Sequence, residues 1–371
     1  MLERQYRKIF SIVAGCLAVA FSLGSASAAS ASPYLDQFST VTSLTSTVPM
    51  NPMDVNPYGI VTVPRSTGQL VAGDLLVSNF NNPMNLQGTG TTIDQITPTG
   101  TPTLFAHVDP TNLPGSCPGG VGLTTALSVL RSGFVIVGSL PTTDGMSDTA
   151  AAGCLLVLNS NGQVVETIHG HQINGPWDMT AVDNGDSATL FVTNVLNHTV
   201  AAGGNVVDKG TVVRIRLRID RGMPPMPVDT RVIARGFPEK TDPNALVIGP
   251  TGVGFGIGRW SDTLFVADSL DNRIAAIPDA MTRMSAAHHG AVTVSEGGAL
   301  NDPLGLSVAP NGDVITANGN DGNLVETTPF GSQVAHPTVD PAGAGVLFGL
   351  VAAPHGVFFV DDGDNTLRLF H

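Results

Sequence analysis

Charge is scarce in this sequence: 13% of residues are Asp, Glu, Lys or Arg, against about 25% in an ordinary globular domain. With 42% hydrophobic residues alongside, that scarcity excludes a disordered polyelectrolyte and leaves a chain able to bury a large core. Basic residues are scarcer still, 17 against 30 acidic ones, for a formal charge of −13. Such a surface repels phosphate backbones, so no nucleic acid partner is expected. Long helical patterns are missing, and 43 Gly with 26 Pro punctuate the chain throughout, which points to many short strands. No stretch beyond the N-terminal region offers the roughly 18 consecutive apolar residues of a spanning helix, so no transmembrane segment is expected.

Cysteine is almost absent, and the place of each of the 3 matters. Arg4, Arg7 and Lys8 precede an apolar run over residues 9–23, followed by the small residues "GSASAASAS". This reads as an export signal over residues 1–31, cleaved near 28–31, with the mature chain periplasmic or secreted. "VAGC", ending at Cys16, offers the lesser alternative of a lipoprotein anchored through that cysteine. After cleavage only Cys117 and Cys154 remain, and in an oxidising compartment they are expected to form a disulfide.

What the sequence does have is repetition. "LFVADSLDNRI" from 264 returns in altered form as "LFVTNVLNHTV" from 190, "VITANGNDGNL" from 314 and "VFFVDDGDNTL" from 357. Aligned on the corner after each apolar strand, the chain shows six units, with corners at Asn79, Ser139, Asn194, Asp268, Asn318 and Asp362. The longest interval, between Asn194 and Asp268, is explained by an inserted "RGMPPMPV" between outer strands. Several units open on a related phrase, such as "NPYGIVTV" at 56, "GPWDMTAV" at 175 and "DPLGLSVAP" at 302. Each unit then reads as a four-stranded antiparallel meander with apolar inner strands and a wetter outer one. One meander cannot bury both faces, and radial stacking protects every face. The expected fold is all-β: a six-bladed β-propeller forming one domain over residues 32–371. Because the last unit ends after three strands, the strand-like run at 38–46 is expected to pair as its outermost strand and close the ring.

"DPLGLSVAPNGDVITANGNDGNLVET" and "LFVADSLDNRIAAI" resemble NHL repeats, whose pattern runs Pro, Gly, apolar strand, turn, apolar strand, Asp or Asn, then Asn-Arg and a further strand. The resemblance implies a propeller of the TolB-like and regucalcin/gluconolactonase-like superfamily, which contains binding proteins and enzymes alike. Gluconolactonase-like relatives carry a Glu just before the first Gly-Pro with Asn and Asp metal ligands; here "DVNPYG" supplies Asp54 and Asn56 but no Glu. Amidating-lyase relatives place a metal-binding His after the blade-opening Pro, where this chain has Tyr58, Trp177, Thr251 and Leu304.

Strand direction sets where chemistry can gather. The start of each first strand and the corner after each second strand fall on one face, which collects Asn56, Asn174, Asn194, Asp268 and Asp302. A ring of oxygens there is the candidate metal site, and calcium is the cofactor it suits, although the sequence fixes none. Corner Asp and Asn residues also commonly bond turn backbone, so each has a purely structural alternative. His169 and His171 reach the same face with Glu296 and His336, as ligand-binding candidates or as solvated loop histidines. Trp177 is either a stacking platform at the channel mouth or a cap on the inner core. His288 and His289 fall in an insertion expected to form a helical turn far from the axis. No Gly-x-Ser-x-Gly elbow or phosphate-binding Gly loop is present, and no catalytic residue is assigned. The expected function is a monomeric, exported binding module that takes a small molecule or protein at the loop face of its channel. The alternative is a divalent-metal-dependent lactonase or lyase.

Overall fold

The computed structural model describes residues 32–170 and 172–371. The proposed export signal, the Cys16 alternative and His171 lie outside the described residues. The fold is a six-bladed β-propeller, as the repeat pattern requires, with no α-helix among the described residues. The innermost strands of blades 1 to 6 are Val55–Thr62, Leu123–Val129, Pro176–Asp183, Pro250–Phe255, Pro303–Val308 and Leu347–Ala353. Each pairs antiparallel with the next strand of its own blade. The opening residues Pro57, Leu123, Pro176, Pro250, Pro303 and Leu347 stand opposite Asn79, Ser139, Asn194, Asp268, Asn318 and Asp361. Five corners fall where the sequence pattern puts them. The sixth is Asp361 rather than Asp362: the apolar run of this strand ends at Val360, and it is Asp361 that closes the strand and pairs with Leu347.

Close backbone approach holds the ring together. Gly252, Gly305 and Gly349 stand at one level on successive inner strands. A Cβ on Gly252 would lie 2.4 Å from the Leu306 backbone nitrogen, one on Gly305 2.1 Å from the Phe348 carbonyl, and one on Gly349 2.3 Å from the Tyr58 carbonyl. Only glycine allows neighbouring blades to meet so tightly around the axis. A bulge follows the opening residue of every inner strand at this level, bending the strand as it passes the axis. Apolar side chains then fill the wedges between blades, as between blades 2 and 3, where Leu155, Val157, Leu190 and Ile215 are fully buried.

The ring closes through its first strand, Val41–Ser46, which pairs with Thr366–Phe370 so that Val41 faces Phe370 and Ser46 faces Thr366. The segment before it is tied down as well. The buried Glu326 carboxylate accepts the backbone N–H groups of Tyr34 and Leu35, both at 2.7 Å. The Tyr34 hydroxyl donates to the carbonyls of Ala353 and, at 2.7 Å, Gly356. Glu326 thus joins blade 5 to the chain segment that completes blade 6.

Blade 3 departs from the four-strand pattern. Its outer strands are long, Val207–Arg218 and Met226–Asp242, and "RGMPPMPV" lies at the hairpin between them. A fifth short strand, Leu246–Ile248, pairs back onto the end of Met226–Asp242, setting Lys240 opposite Ile248. The His288–His289 insertion forms turns rather than the expected helical turn, and bridges blade 3 through Ala234 and Ala287. Ala287 donates to the Ile233 carbonyl, so this backbone is satisfied across strands and not within a helix.

Cys117 and Cys154 form a disulfide with Cα atoms 5.2 Å apart and a sequence separation of 37. Closing a loop of that length is worth about 3–4 kcal/mol. Replacing both cysteines by Ala should lower the unfolding free energy by about that amount in a urea titration. A midpoint unchanged from the oxidised wild type would show that the bridge contributes nothing.

Candidate functional site

The loop-bearing end of the axis opens into a cavity of about 390 Å³. Asn56 and Asp302 reach it from the starts of blades 1 and 5, and Asp362 from the turn after the second strand of blade 6. One local device positions the first two. Asn56 (φ 62°) and Asp302 (φ 55°) both adopt the left-handed conformation, which Asn and Asp tolerate better than most residues. In each case the turn Asn of the preceding blade receives the strained backbone: the Asn56 N–H donates to Asn365 Oδ1 and the Asp302 N–H to Asn272 Oδ1, both at 2.6 Å. The "DN" of the repeated corner is therefore an inter-blade clasp that aims the following residue toward the axis.

The floor is aromatic. Tyr58 stacks between Phe80, with ring centres 4.4 Å apart, and Phe348, at 4.1 Å. Trp177 lies 6.2 Å from Tyr58, and Leu304 joins the same buried cluster. The channel is thus closed beneath the mouth. The rim belongs to the blade 3 extension, which brings Lys240, Asp242 and Asn244 over the cavity. Lys240 Nζ sits 3.1 Å from Asp242 Oδ2.

Electrostatically the mouth is an acidic recess whose two inner carboxylates lack an ion-pair partner. Burial raises the Asp302 carboxyl to about 6, helped by the charge of Asp242 and opposed by Lys240. Burial alone raises Asp362 to about 6. Burial also acts on Asp242, but the Asn244 N–H and Lys240 more than offset it and hold that carboxyl low. Burial, then the Asp362 charge, raises Tyr58 and keeps its phenol protonated. Asn56 is 6% exposed, and its Oδ1 has no hydrogen-bond partner. A buried, unpaired acceptor beside two ionisable carboxyls is an arrangement that costs stability until something supplies positive charge or donors.

Of the five oxygen-bearing residues named from the sequence, only Asn56 and Asp302 meet in this cavity. Asn174 Nδ2 donates to the Leu196 carbonyl at 2.9 Å and to Asn197 Oδ1 at 2.8 Å, and Asn194 Oδ1 accepts from the Asn174 N–H. Asp268 is fully buried and bonded to Arg273 Nε at 3.1 Å. These three residues, two corners and the pre-strand Asn174, hold their own blades together. Trp177, 5% exposed, packs in the floor as a cap on the inner core. His169 is exposed beyond the last strand of blade 2, away from the mouth lining. Glu296 lines a separate groove with His288 and His289. Among the described residues, no three His, Cys, Asp or Glu side chains gather into a metal-ligand cluster.

Lys240, Asp242 and Asn244 were missed. The available signal was "KTDPN", an Asp-Pro-Asn turn that has to lie somewhere exposed. Asp362 was recognised as a corner, but its release toward the axis depends on Asp361 taking the corner, where it accepts from the Gly363 N–H at 2.9 Å.

No protein-family model matches the chain, and no curated protein matches it by sequence. Its fold does match solved structures. A gluconolactonase from Xanthomonas campestris superposes with a TM-score of 0.53 at 13% identity, covering 89% of this chain and 88% of that one. The calcium-binding protein regucalcin from Agrobacterium tumefaciens gives 0.53 at 11% identity, covering 90% and 93%. Virginiamycin B lyase from Staphylococcus aureus gives 0.51 at 14% identity, covering 90% and 85%. The chain shares the propeller fold of these structures. At such low identity the likeness is one of architecture alone.

Because burial raises Asp302 and Asp362, each destabilises the unliganded protein when ionised. The sign follows: the penalty is absent below about pH 4, grows as pH rises toward 6 and is full at pH 7. Asp302→Asn and Asp362→Asn should therefore each stabilise the ligand-free protein at pH 7 by about 1–3 kcal/mol, with the gain vanishing near pH 4. Thermal melts across pH 4–8 check this, and a loss of stability at pH 7 would contradict it.

Proposed function

We propose that this protein is an exported, monomeric, NHL-like binding propeller that takes a small ligand at the loop-bearing mouth of its channel. One observation carries the reading: Asp302, Asp362 and the unpartnered Asn56 Oδ1 share one cavity over a stacked aromatic floor. The ligand brings positive charge or hydrogen-bond donors to those oxygens, and the protonated Tyr58 hydroxyl stands beside them as a donor.

A second reading, a divalent-metal-dependent lactonase or lyase, is favoured by the same donor set together with the gluconolactonase and regucalcin folds. Beneath the Lys240–Asp242 pair of the rim, the inner mouth offers the Asp302 and Asp362 carboxylates and the Asn56 amide, oxygens that suit a hard cation such as calcium with water completing its shell. Asn56, Asp302 and Asp362 would hold it; Asn174, Asn194 and Asp268 are committed to internal bonds. A bound divalent cation supplies Lewis-acid polarisation of an ester carbonyl. Asp302 and Asp362, with carboxyls near 6, are poised to accept a proton near neutral pH, and Lys240 with Asp242 would orient the substrate from the rim.

Calcium titration followed by thermal melting separates the readings. Saturating calcium should raise the melting temperature by about 5 °C, and Asp302→Asn and Asp362→Asn should abolish the rise. Hydrolysis of D-glucono-δ-lactone in the calcium-loaded protein would favour the enzyme, and a shift without turnover the binding module. If calcium and neutral sugars leave wild type unmoved, or move Asp302→Asn just as much, the mouth is not a functional site.

A further inference from the structure

The axis has a second opening. On the turn-bearing side, below the aromatic floor, lies another cavity of about 310 Å³ enclosed by the inner strands, with aliphatic walls that include Ile60, Leu127, Val253, Leu306 and Leu350. The tightly packed level of the ring borders it, and at this level the six blades are not alike. Blades 1, 4, 5 and 6 carry Gly59, Gly252, Gly305 and Gly349, whereas blade 3 carries Asp178 and blade 2, whose bulge is one residue longer, carries Ala126 at this level with Thr125 just before it.

Neither Asp178 nor Thr125 is explained by packing alone. Asp178 is 8% exposed and lines the cavity; Oδ1 accepts the Met179 N–H at 2.7 Å and Oδ2 the Val253 N–H at 2.9 Å. The Val253 bond ties blade 3 to blade 4, yet blade 4 meets blade 5 at the same level with only Gly252. Asp178 is the only ionisable residue in the lining, and burial raises its carboxyl to about 7. Thr125 also lines the cavity; it is 4% exposed, and its hydroxyl has no hydrogen-bond partner. Buried polar groups are rarely left unpaired, so an orphan hydroxyl on a residue that borders the cavity is a candidate contact for an occupant.

We propose that the turn-side axial cavity is a second binding site, selective for a small primary amine with an apolar body, whose ammonium group is held by Asp178 and Thr125. The chemistry follows from the walls. An ammonium group has three N–H donors and no acceptor, matching a carboxylate with spare lone pairs and an unpaired hydroxyl. An apolar body of up to about ten non-hydrogen atoms fits 310 Å³, at about 30 Å³ for each. The aromatic floor separates this site from the loop-side mouth, so the two are chemically independent.

The probe is cyclohexylmethylamine against its neutral analogue cyclohexylmethanol, followed by calorimetric titration. The amine should bind saturably and at least about tenfold more tightly than the alcohol. Asp178→Asn should erase that preference, and Thr125→Val should weaken the amine by about threefold or more. Should Asp178→Asn fail to fold, Thr180→Phe, which adds bulk to the cavity from a partly exposed wall on the same strand face as Asp178, should remove both probes while leaving the melt intact. Asp302→Asn at the other mouth should leave amine binding unchanged. The assignment is overturned if the two probes bind equally, if no saturable amine binding occurs, if it survives Asp178→Asn or Thr180→Phe, or if it is lost on Asp302→Asn.

Discussion

The constraint on which the rest of this structure depends is that inner strands meet almost backbone to backbone around one axis at Gly59, Gly252, Gly305 and Gly349. The approach at Gly252, Gly305 and Gly349 leaves no room for a Cβ, so the radius of the ring is set by main chain rather than by side-chain bulk. Once the strands are that close, the channel cannot stay open along its length. The residues following the opening positions, Tyr58, Trp177, Leu304 and Phe348, are driven into contact and close it. Binding space is left only at the two ends, where the strands diverge.

That geometry separates two kinds of polar residue which look alike in the sequence. Corner residues such as Asn194 and Asp268 point into their own blade and are used up there, in bonds to Asn174 and Arg273. The buried Asn318 does the same through the Ala299 carbonyl and Asp321. Residues just before an inner strand, Asn56 and Asp302, are turned toward the axis by their left-handed backbone and by the clasp from the preceding blade. The difference is a bond-by-bond matter of whether a side-chain oxygen is already satisfied. At the corners the side chain is anchored by at least one bond within its blade, even where a second oxygen, as on Asp268, stays unpaired; at the mouth the Asn56 oxygen is left without a partner and lies beside Asp302 and Asp362.

The free oxygens have an energetic consequence. Asp302 and Asp362 are kept ionisable in a recess where burial opposes their charge, and the nearest cation, Lys240, is already paired with Asp242. A fold selected for stability alone would place amides or apolar groups there. Burial raises carboxyls elsewhere in this fold too, as at Asp94 and Glu239; what sets Asp302 and Asp362 apart is that they line an open recess.

The architecture was legible because it is periodic. Turn glycines, apolar alternation and a recurring Asp or Asn corner define six meanders, the strand-like run at 38–46 supplies the missing edge, and the two cysteines that pair are already conspicuous. Periodicity says nothing, however, about exceptions to itself. That Asp361 rather than Asp362 occupies the last corner is a one-residue matter of register, and that Lys240 and Asp242 cover the mouth depends on how far the outer strand of blade 3 runs past its neighbours. The repeat alone determined how many blades there are and how they close, since that follows from the burial every similar unit must achieve. Which side chains meet at the axis was decided only in three dimensions, because a hydrogen bond consumed within a blade and one left open to the channel start from the same letters.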